Sequence, residues 1–479
     1  MKRPSPPYDL LLCMALLASL TACSQTPVRP ESPPLQARSW LAPDETAAAP
    51  QPPAGHNPAV WWQVYHCDTL DQWIRQAEHD NPDLEAARQT LLAAGRDTAA
   101  ARGSLQPQVS FDALAGRQKY GVALFGPADF SIPPFTWYEI GPAIQWTPDF
   151  SGALHAAIDR QQALADYQAR ELDALQLQLQ GDVTVAALDM AASTEENETV
   201  QRLVRLDAEF AALTRERMAS GMATREDRLD ARARLTADQA RLPVLAQRQS
   251  SDRHALAQML GRLPADWTPA SLRLSAFALP ATLPAQLPST VARRRPDILV
   301  AAASLHAAAA EARQRQDDLY PQITLSADMM QEALTPAGLF HISGLAWAMA
   351  AGITQPLWDG GQLRAQRDAA QYHLRATRSR YRQTILLAFN QIADALTALE
   401  HDRQALALAQ AAEHDAQAKA RLAGERQLAG EAGRPETLLA QRTVTLAHLR
   451  HLRAQYALQR DYARLAVALG GTRPSQTDD

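Results

Sequence analysis

Four stretches of this chain alternate apolar and polar positions with period two. Val109, Phe111, Ala113 and Ala115 alternate with Gln108, Ser110 and Asp112, and Tyr138, Ile140, Ile144 and Trp146 share one face of a returning stretch. Ile323, Leu325, Ala327 and Met329 alternate with Gln322, Thr324, Ser326 and Asp328. Leu345, Trp347, Met349, Ala351 and Ile353 then alternate with small residues. Successive strand residues point to opposite faces, so each stretch predicts a strand of about ten residues with one apolar face. Such runs between Gly/Pro turns fit the strands of a membrane β-barrel, and on pattern alone they fit soluble half-buried hairpins equally well.

After each strand pair the period changes to that of a helix. From Ser151 to Met218 no Pro or other strong stop occurs, which at 1.5 Å per residue is about 100 Å of helix. Gly221 ends it, and a return helix is expected from Arg225 to Leu260. The pattern recurs from Gly361 to Leu428 and from Pro435 to Leu469. Leu164, Leu172, Leu175, Leu179, Val183 and Ala186 form an apolar stripe along the first long helix. That stripe must face other long helices, because an isolated helix gains too little from propensity alone. A plain intramolecular coiled coil would satisfy the stripe but leave the attached strand pairs unexplained. Pro243 predicts a kink in the first return helix, whereas its counterpart Leu452 predicts none in the second.

The recurrence is a tandem duplication. Residues 81–113 align with 295–327 at a constant offset of 214, matching Pro82 with Pro296, Asp83 with Asp297, and Pro107 with Pro321. Beyond the strands the offset is 209, matching Leu154 with Leu363, Glu216-Arg217 with Glu425-Arg426, Gly221 with Gly430, and Leu260-Gly261 with Leu469-Gly470. Two copies of about 200 residues make a duplication and not a solenoid array. Each copy opens with a helix of about 25 residues ending near Pro107 or Pro321. The first repeat is expected over 59–270, with strands near 107–120 and 137–148 and long helices over 151–218 and 225–261. The second is expected over 271–470, with strands near 321–332 and 343–356 and long helices over 361–428 and 435–469. Residues 471–479 are read as a disordered tail.

Four strands cannot close a barrel, for which about eight is the lower limit. In a bilayer, open strand edges leave backbone groups unsatisfied at several kcal/mol each. Strands that enter a membrane here must therefore be joined by strands from other copies.

The beginning of the chain sets the compartment. Lys2 and Arg3 precede an apolar run from Leu10 to Leu20, which has signal-peptide length and is too short for a stable membrane span. Leu20-Thr21-Ala22-Cys23 then places small residues before a cysteine, which resembles a bacterial lipobox. Residues 1–22 are thus read as a signal peptide and Cys23 as the lipid attachment site; an ordinary secretory signal with an incidental cysteine is the alternative. Ser24, rather than Asp, follows and favours the outer membrane. Residues 23–58, rich in Pro, Ala, Ser and Gln, read as a lipid-anchored tether. Cys13 leaves with the signal and Cys67 stands alone, so no disulfide framework is expected. A net charge of -5 on 479 residues implies no nucleic-acid partner.

On this plan the chain resembles the outer-membrane efflux channels of the TolC/OprM type, in their lipoprotein branch often labelled NodT. Three segments carry the resemblance: "WWQVYHCDTLDQWIRQAEHDNPDLEAA" (61–87), "RRPDILVAAASLHAAAAEARQRQDDLYPQITLSA" (294–327) and "QPLWDGGQLRAQ" (355–366). The resemblance implies a mainly α protein with membrane β structure. Long helical hairpins of a homotrimer would form an α-barrel of about 100 Å in the periplasm. It would join a 12-stranded outer-membrane β-barrel, four strands from each chain. It also implies a periplasmic adaptor and an inner-membrane pump as partners, with the channel itself passive and export specificity residing mostly in the pump. Antibiotic resistance is among the roles of such channels.

In that family the hairpin tips close the periplasmic entrance. The tips here are "RERMASGMATRED" (215–227) and "GERQLAGEAGRPE" (424–436), and their candidate gate residues are Glu216, Arg217, Glu425, Arg426 and Glu431. Glu-Arg pairs cross-linking neighbouring hairpins in the closed state are one reading; solvated helix-end charge, at about 0 to 1 kcal/mol a pair, is the other. Arg293-Arg294-Arg295 is expected to be a surface structural feature. His448 and His451 have helical i, i+3 spacing but no third ligand near in sequence, so a solvated face is expected and no metal. Asp359-Gly360-Gly361 reads as turn chemistry. No P-loop, GxSxG, HExxH or CxxC occurs, so no catalytic residue or cofactor is assigned. The function expected is a passive exit duct of a tripartite efflux system. The alternative is a periplasmic coiled-coil lipoprotein scaffold or adaptor without a pore.

Overall fold

The structure, a computed structural model, describes residues 60–119, 133–278 and 295–471. The expected signal peptide, Cys23, the tether, Arg293 and Arg294, and residues 472–479 of the expected tail lie outside the described residues. The described residues belong to one compact unit within Gln36–Asp479.

A 3-10 turn, Trp61–Tyr65, precedes α1 (Asp68–Asp80) and α2 (Pro82–Gly103). The helix expected to end near Pro107 is α2; α1 precedes it as a separate helix that the repeat pattern did not predict. Asn81 separates them: its side-chain oxygen accepts from the N–H groups of Asp83 and Leu84, at 2.9 and 3.2 Å. Pro82 then occupies the first helical turn, where its missing N–H costs nothing. Strands β1 (Gln108–Gln118) and β2 (Phe135–Trp146) follow, then the long helix α3 (Ala153–Ala219) and its return path, α4 (Arg225–Gln239) and α5 (Arg241–Met259). The second repeat contains α6 (Pro296–Asp317), β3 (Gln322–Ala333), β4 (Leu345–Thr354), α7 (Gln362–Leu428) and α8 (Arg434–Ala468).

The duplication is visible to the residue. The bounds of α2 and α6 differ by 214 at both ends, and those of α3 and α7 by 209 at both ends. Both long helices begin after a glycine in the left-handed region, Gly152 and Gly361, each with φ 87°. The return paths also keep the 209 offset, but the first is interrupted at Ala240. Pro243 accounts for the break, since its ring cannot coexist with a regular carbonyl at Gln239, four residues earlier. Leu452 leaves α8 unbroken over 35 residues.

The four strands form one antiparallel sheet in the order β1-β2-β3-β4, joining the repeats through β2 and β3. Its register puts the apolar positions in line. Val109 pairs with Ile144, Ile144 with Ala327, and Ala327 with Met349. Trp146 likewise pairs with Leu325, and Leu325 with Ala351. At Gly141 a Cβ would lie 2.2 Å from the Met329 carbonyl oxygen, so only glycine permits this approach of β2 to β3.

The main core is a belt around the middle of the long helices. Trp61, Tyr65, Leu70 and Ile74 from the opening segment pack with Val183 and Leu188 of α3, Ile392 and Leu399 of α7, and Leu458 and Leu465 of α8. Tyr65 donates its hydroxyl to the Gln459 carbonyl at 2.6 Å, and the Gln459 amide donates to the carbonyls of Leu274 and Phe277. Burial pushes the Tyr65 phenol well above its ordinary pKa, with the Tyr462 phenol adding to the effect, so it stays neutral. Arg295 is buried here, correcting its expected surface position. Its guanidinium donates to both carboxylate oxygens of Asp297, to the Ala468 carbonyl and to Gln391.

Candidate functional site

The sheet is the first part of the site. Among the described residues no layer covers its apolar face: Val109 is 69 % exposed, Trp347 72 %, Met349 77 % and Ile353 73 %. The other face presents Ser110, Asp112, Gln145, Thr324, Ser326 and Asp328 together with the small residues of β4. Exposed Trp146, Phe150, Tyr320 and Trp358 cluster in sequence at the ends of the strands that meet the helices. Strands of 10 to 12 residues, apolar on one face and bordered by aromatic side chains, match the bilayer-facing wall of a barrel. Among the described residues β1 and β4 have no partner strand on their outer edges. Among the described residues no helix is long and apolar enough to cross a membrane.

Short acidic caps hold the helices to the strands. Asp149 accepts from the N–H groups of Gly152, Leu154 and His155. Burial works against ionising it, but hydrogen bonds from His155 and Leu154 hold its pKa below the usual range. Asp359 does the same in the second repeat, accepting from Gly361 and Leu363 at 2.8 Å each. Hydrogen bonds from Leu363 and then Gly361 keep its carboxyl low. Asp359-Gly360-Gly361 is turn chemistry.

At the far ends the tips reverse through Gly221 (φ 76°) and Gly430 (φ 79°). Glu216 and Arg217 lie in the last turn of α3, Glu425 and Arg426 in the last turn of α7, and Glu431 in the second tip. The tips share one backbone scheme, in which Met222 N–H donates to the Arg217 carbonyl and Glu431 N–H to that of Arg426. Arg426 and Glu431 lie 3.9 Å apart within one tip. Among the described residues of a single chain, Glu216, Arg217 and Glu425 make no ion pair, so one chain brings together only Arg426 and Glu431 of the five.

The charged links between the hairpins lie deeper. Arg434 meets Glu209 at 2.6 Å. Arg442 of α8 donates to Asp207 of α3 at 2.9 Å and to Asp238 of α4 at 2.8 Å. The two carboxylates are 3 % and 7 % exposed. Burial and the neighbouring Asp238 push the Asp207 carboxyl up, against the pull of Arg442. Asp238 is held low despite its burial, by hydrogen bonds from Asp207, Arg241 and Arg442. Farther along, Arg453 pairs with Glu196, and Asp189 receives both Arg248 and the Tyr456 hydroxyl. A signal for the clamp exists in the sequence. Asp207 follows Val200 and Leu203 on their stripe, and Asp238 sits midway between Ala231 and Leu245, all buried. Charge at a stripe position requires a partner on a facing helix.

His448 and His451 also differ from expectation. They have a third group beside them, Glu413 of α7: Nδ1 of His448 lies 3.0 Å from one carboxylate oxygen and Nδ1 of His451 2.6 Å from the other.

Comparison with known proteins decides what this arrangement belongs to. The family described as outer membrane efflux protein matches residues 73–262 and 287–471. The chain belongs to that family. The pyoverdine export outer membrane protein OpmQ of Pseudomonas putida is 30% identical over 470 residues, spanning 96% of this chain and 97% of that protein. Nodulation protein T of Rhizobium leguminosarum is 24% identical over 415 residues, spanning 86% of this chain and 84% of that protein. The solved outer-membrane channel OprN superposes with a TM-score of 0.80 at 25% identity, covering 91% of this chain and 100% of its own. This efflux-family chain is accordingly an outer-membrane exit duct.

Proposed function

We propose that three copies close one barrel in the outer membrane and draw cargo through the joined helical hairpins from a periplasmic adaptor and an inner-membrane pump. The observation that carries this reading is the four-stranded sheet with an uncovered apolar face and an unpaired edge at each side. Such a sheet has no satisfied state in lipid until the edges of neighbouring copies meet. Purified protein in a planar bilayer should give discrete conductance steps. Their absence would favour the pore-free scaffold.

The tip residues Glu216, Arg217, Glu425, Arg426 and Glu431 form the outer part of the periplasmic gate in this proposal, and the Arg442 clamp forms its inner latch. In the closed state Arg442 holds the second hairpin against the first, and docking of the adaptor parts them. Arg217→Ala with Arg426→Ala, and Arg442→Met separately, should each raise the open probability; an unchanged closed state would sink the gate assignment. Cys23 carries lipid as a second attachment to the outer membrane. Cys23→Ser, exported through a compatible signal, should lose its acyl chains yet leave oligomers in the outer membrane. Loss of those oligomers would give lipid the larger role.

A further inference from the structure

Counting outward from Glu431 at the second tip, Glu413 is 18 residues back along α7, while His448 and His451 are 17 and 20 residues forward along α8. In an antiparallel helical hairpin these positions come to one height, and the side chains meet there. One ligand atom from each of the three lies within 4.8 Å of those of the other two. All three side chains are shielded yet reachable, at 13 % exposure for Glu413, 32 % for His448 and 25 % for His451. Gln417, one turn along α7, donates to the same Glu413 oxygen that faces His448, at 3.1 Å, and so orients the carboxylate.

We propose that Glu413, His448 and His451 form a binding site for a divalent transition-metal ion of the zinc class, tying α7 to α8. Two imidazole nitrogens and one carboxylate oxygen are the donor set preferred by Zn(II) and by Co(II), Ni(II) and Cu(II). With metal–ligand bonds of about 2.0 to 2.2 Å, a tetrahedral ion needs donors about 3.3 Å apart, which small rotamer adjustments supply. Each imidazole would bind the ion through Nδ1 in the tautomer that carries its proton on Nε2, and a fourth position would remain for water. Gln417 would act as the outer partner that fixes the ligating carboxylate. The first repeat cannot do this, because its matching residues are Val204, Gln239 and Leu242. The site needs only the folded second hairpin and does not depend on the pore or its gate.

The test uses the full chain in detergent, free of a histidine tag, titrated with Co(II) and with Zn(II). Wild type should take up one ion per chain more than the His448→Gln/His451→Gln variant, with visible Co(II) d–d absorption that the variant lacks. Glu413→Gln should weaken binding at least tenfold, and metal-free variants should match wild type in helicity and thermal unfolding. Zn(II) should also slow tryptic cleavage of wild type between residues 413 and 451 at stoichiometric concentration. Equal uptake by wild type and the double variant, or no protection of wild type, overturns the proposal.

Discussion

In the first hairpin the return path is two helices, α4 and α5, meeting at Ala240; in the second it is α8, a single helix of 35 residues. Their partner helices, α3 and α7, are each 67 residues long and occupy matching positions. What differs lies in the polar groups between the helices. The first hairpin contributes Asp207 and Asp238 as acceptors, and the second contributes Arg442 as their common donor. At the position of Arg442 the first repeat has Ala233. Duplication thus fixed helix length and the turn glycines, while side-chain divergence made the two copies complementary. The places of Asp207 and Asp238 are taken in the second repeat by Ala416 and Ala447, so two identical hairpins would leave the charges of this contact without a partner.

The kink is where the comparison is most easily broken. Leu452→Pro should transfer it to α8 at a cost of at least about 3 kcal/mol, seen as a large fall in the thermal unfolding midpoint. Pro243→Leu should instead fuse α4 and α5. Continued rapid hydrogen exchange at 239–243 in that variant would remove proline as the cause of the break.

Next comes the clamp. Arg442→Met leaves two shielded carboxylates facing one another and should destabilise the fold by about 2 to 3 kcal/mol. Adding Asp207→Asn should recover part of this loss in thermal unfolding; full additivity of the two changes would show that the groups are not coupled.

The tips should respond alike, unlike the clamp. Gly221→Ala and Gly430→Ala each force a side chain into the left-handed region and should cost about 1 kcal/mol apiece. Unequal losses would show that the Arg426–Glu431 contact, made in the second tip only, bears on the turn.

The smallest effect is one of pH. Where the first repeat sets Ser193 beside Asp252, the second sets Asp402 beside Asp461. Burial, and then the Asp461 charge, raise the Asp402 carboxyl from 3.8 to about 6. A raised acid favours the folded state at low pH, so its contribution is complete below about pH 4 and is lost as pH rises to about 6. Asp402→Asn should therefore gain in unfolding midpoint over wild type across that window and hold the gain above it. A gain that is flat from pH 4 to pH 7.5 would remove Asp402 as the titrating group.

Much of this architecture could be read from periodicity. The strand faces followed from Val109, Phe111, Trp347 and Met349, and the long helices from the absence of breakers between Ser151 and Met218. Helix α1 was not predicted, because it lies ahead of the stretch 81–113 that aligns with the second repeat and so had no repeated counterpart to mark it. Arg295 was misplaced because a run of three arginines reads as solvent-facing, while its burial depends on Asp297, Gln391 and the end of α8 arriving together. Glu413 was missed for a similar reason. Its partners are 35 and 38 residues away, and only the point of chain reversal sets which side chains meet. Periodicity gives the face of each helix; it does not give the height at which two faces are matched.

The unpaired edges of the sheet have a genetic consequence. β1 comes from the first repeat and β4 from the second, so a ring closed by edge pairing has the same heterologous seam between every two neighbours. Each copy must offer two sound edges, and a single damaged strand spoils the whole ring. An allele with a proline in the middle of β1 or β4 should therefore be dominant negative, poisoning mixed assemblies in proportion to its expression.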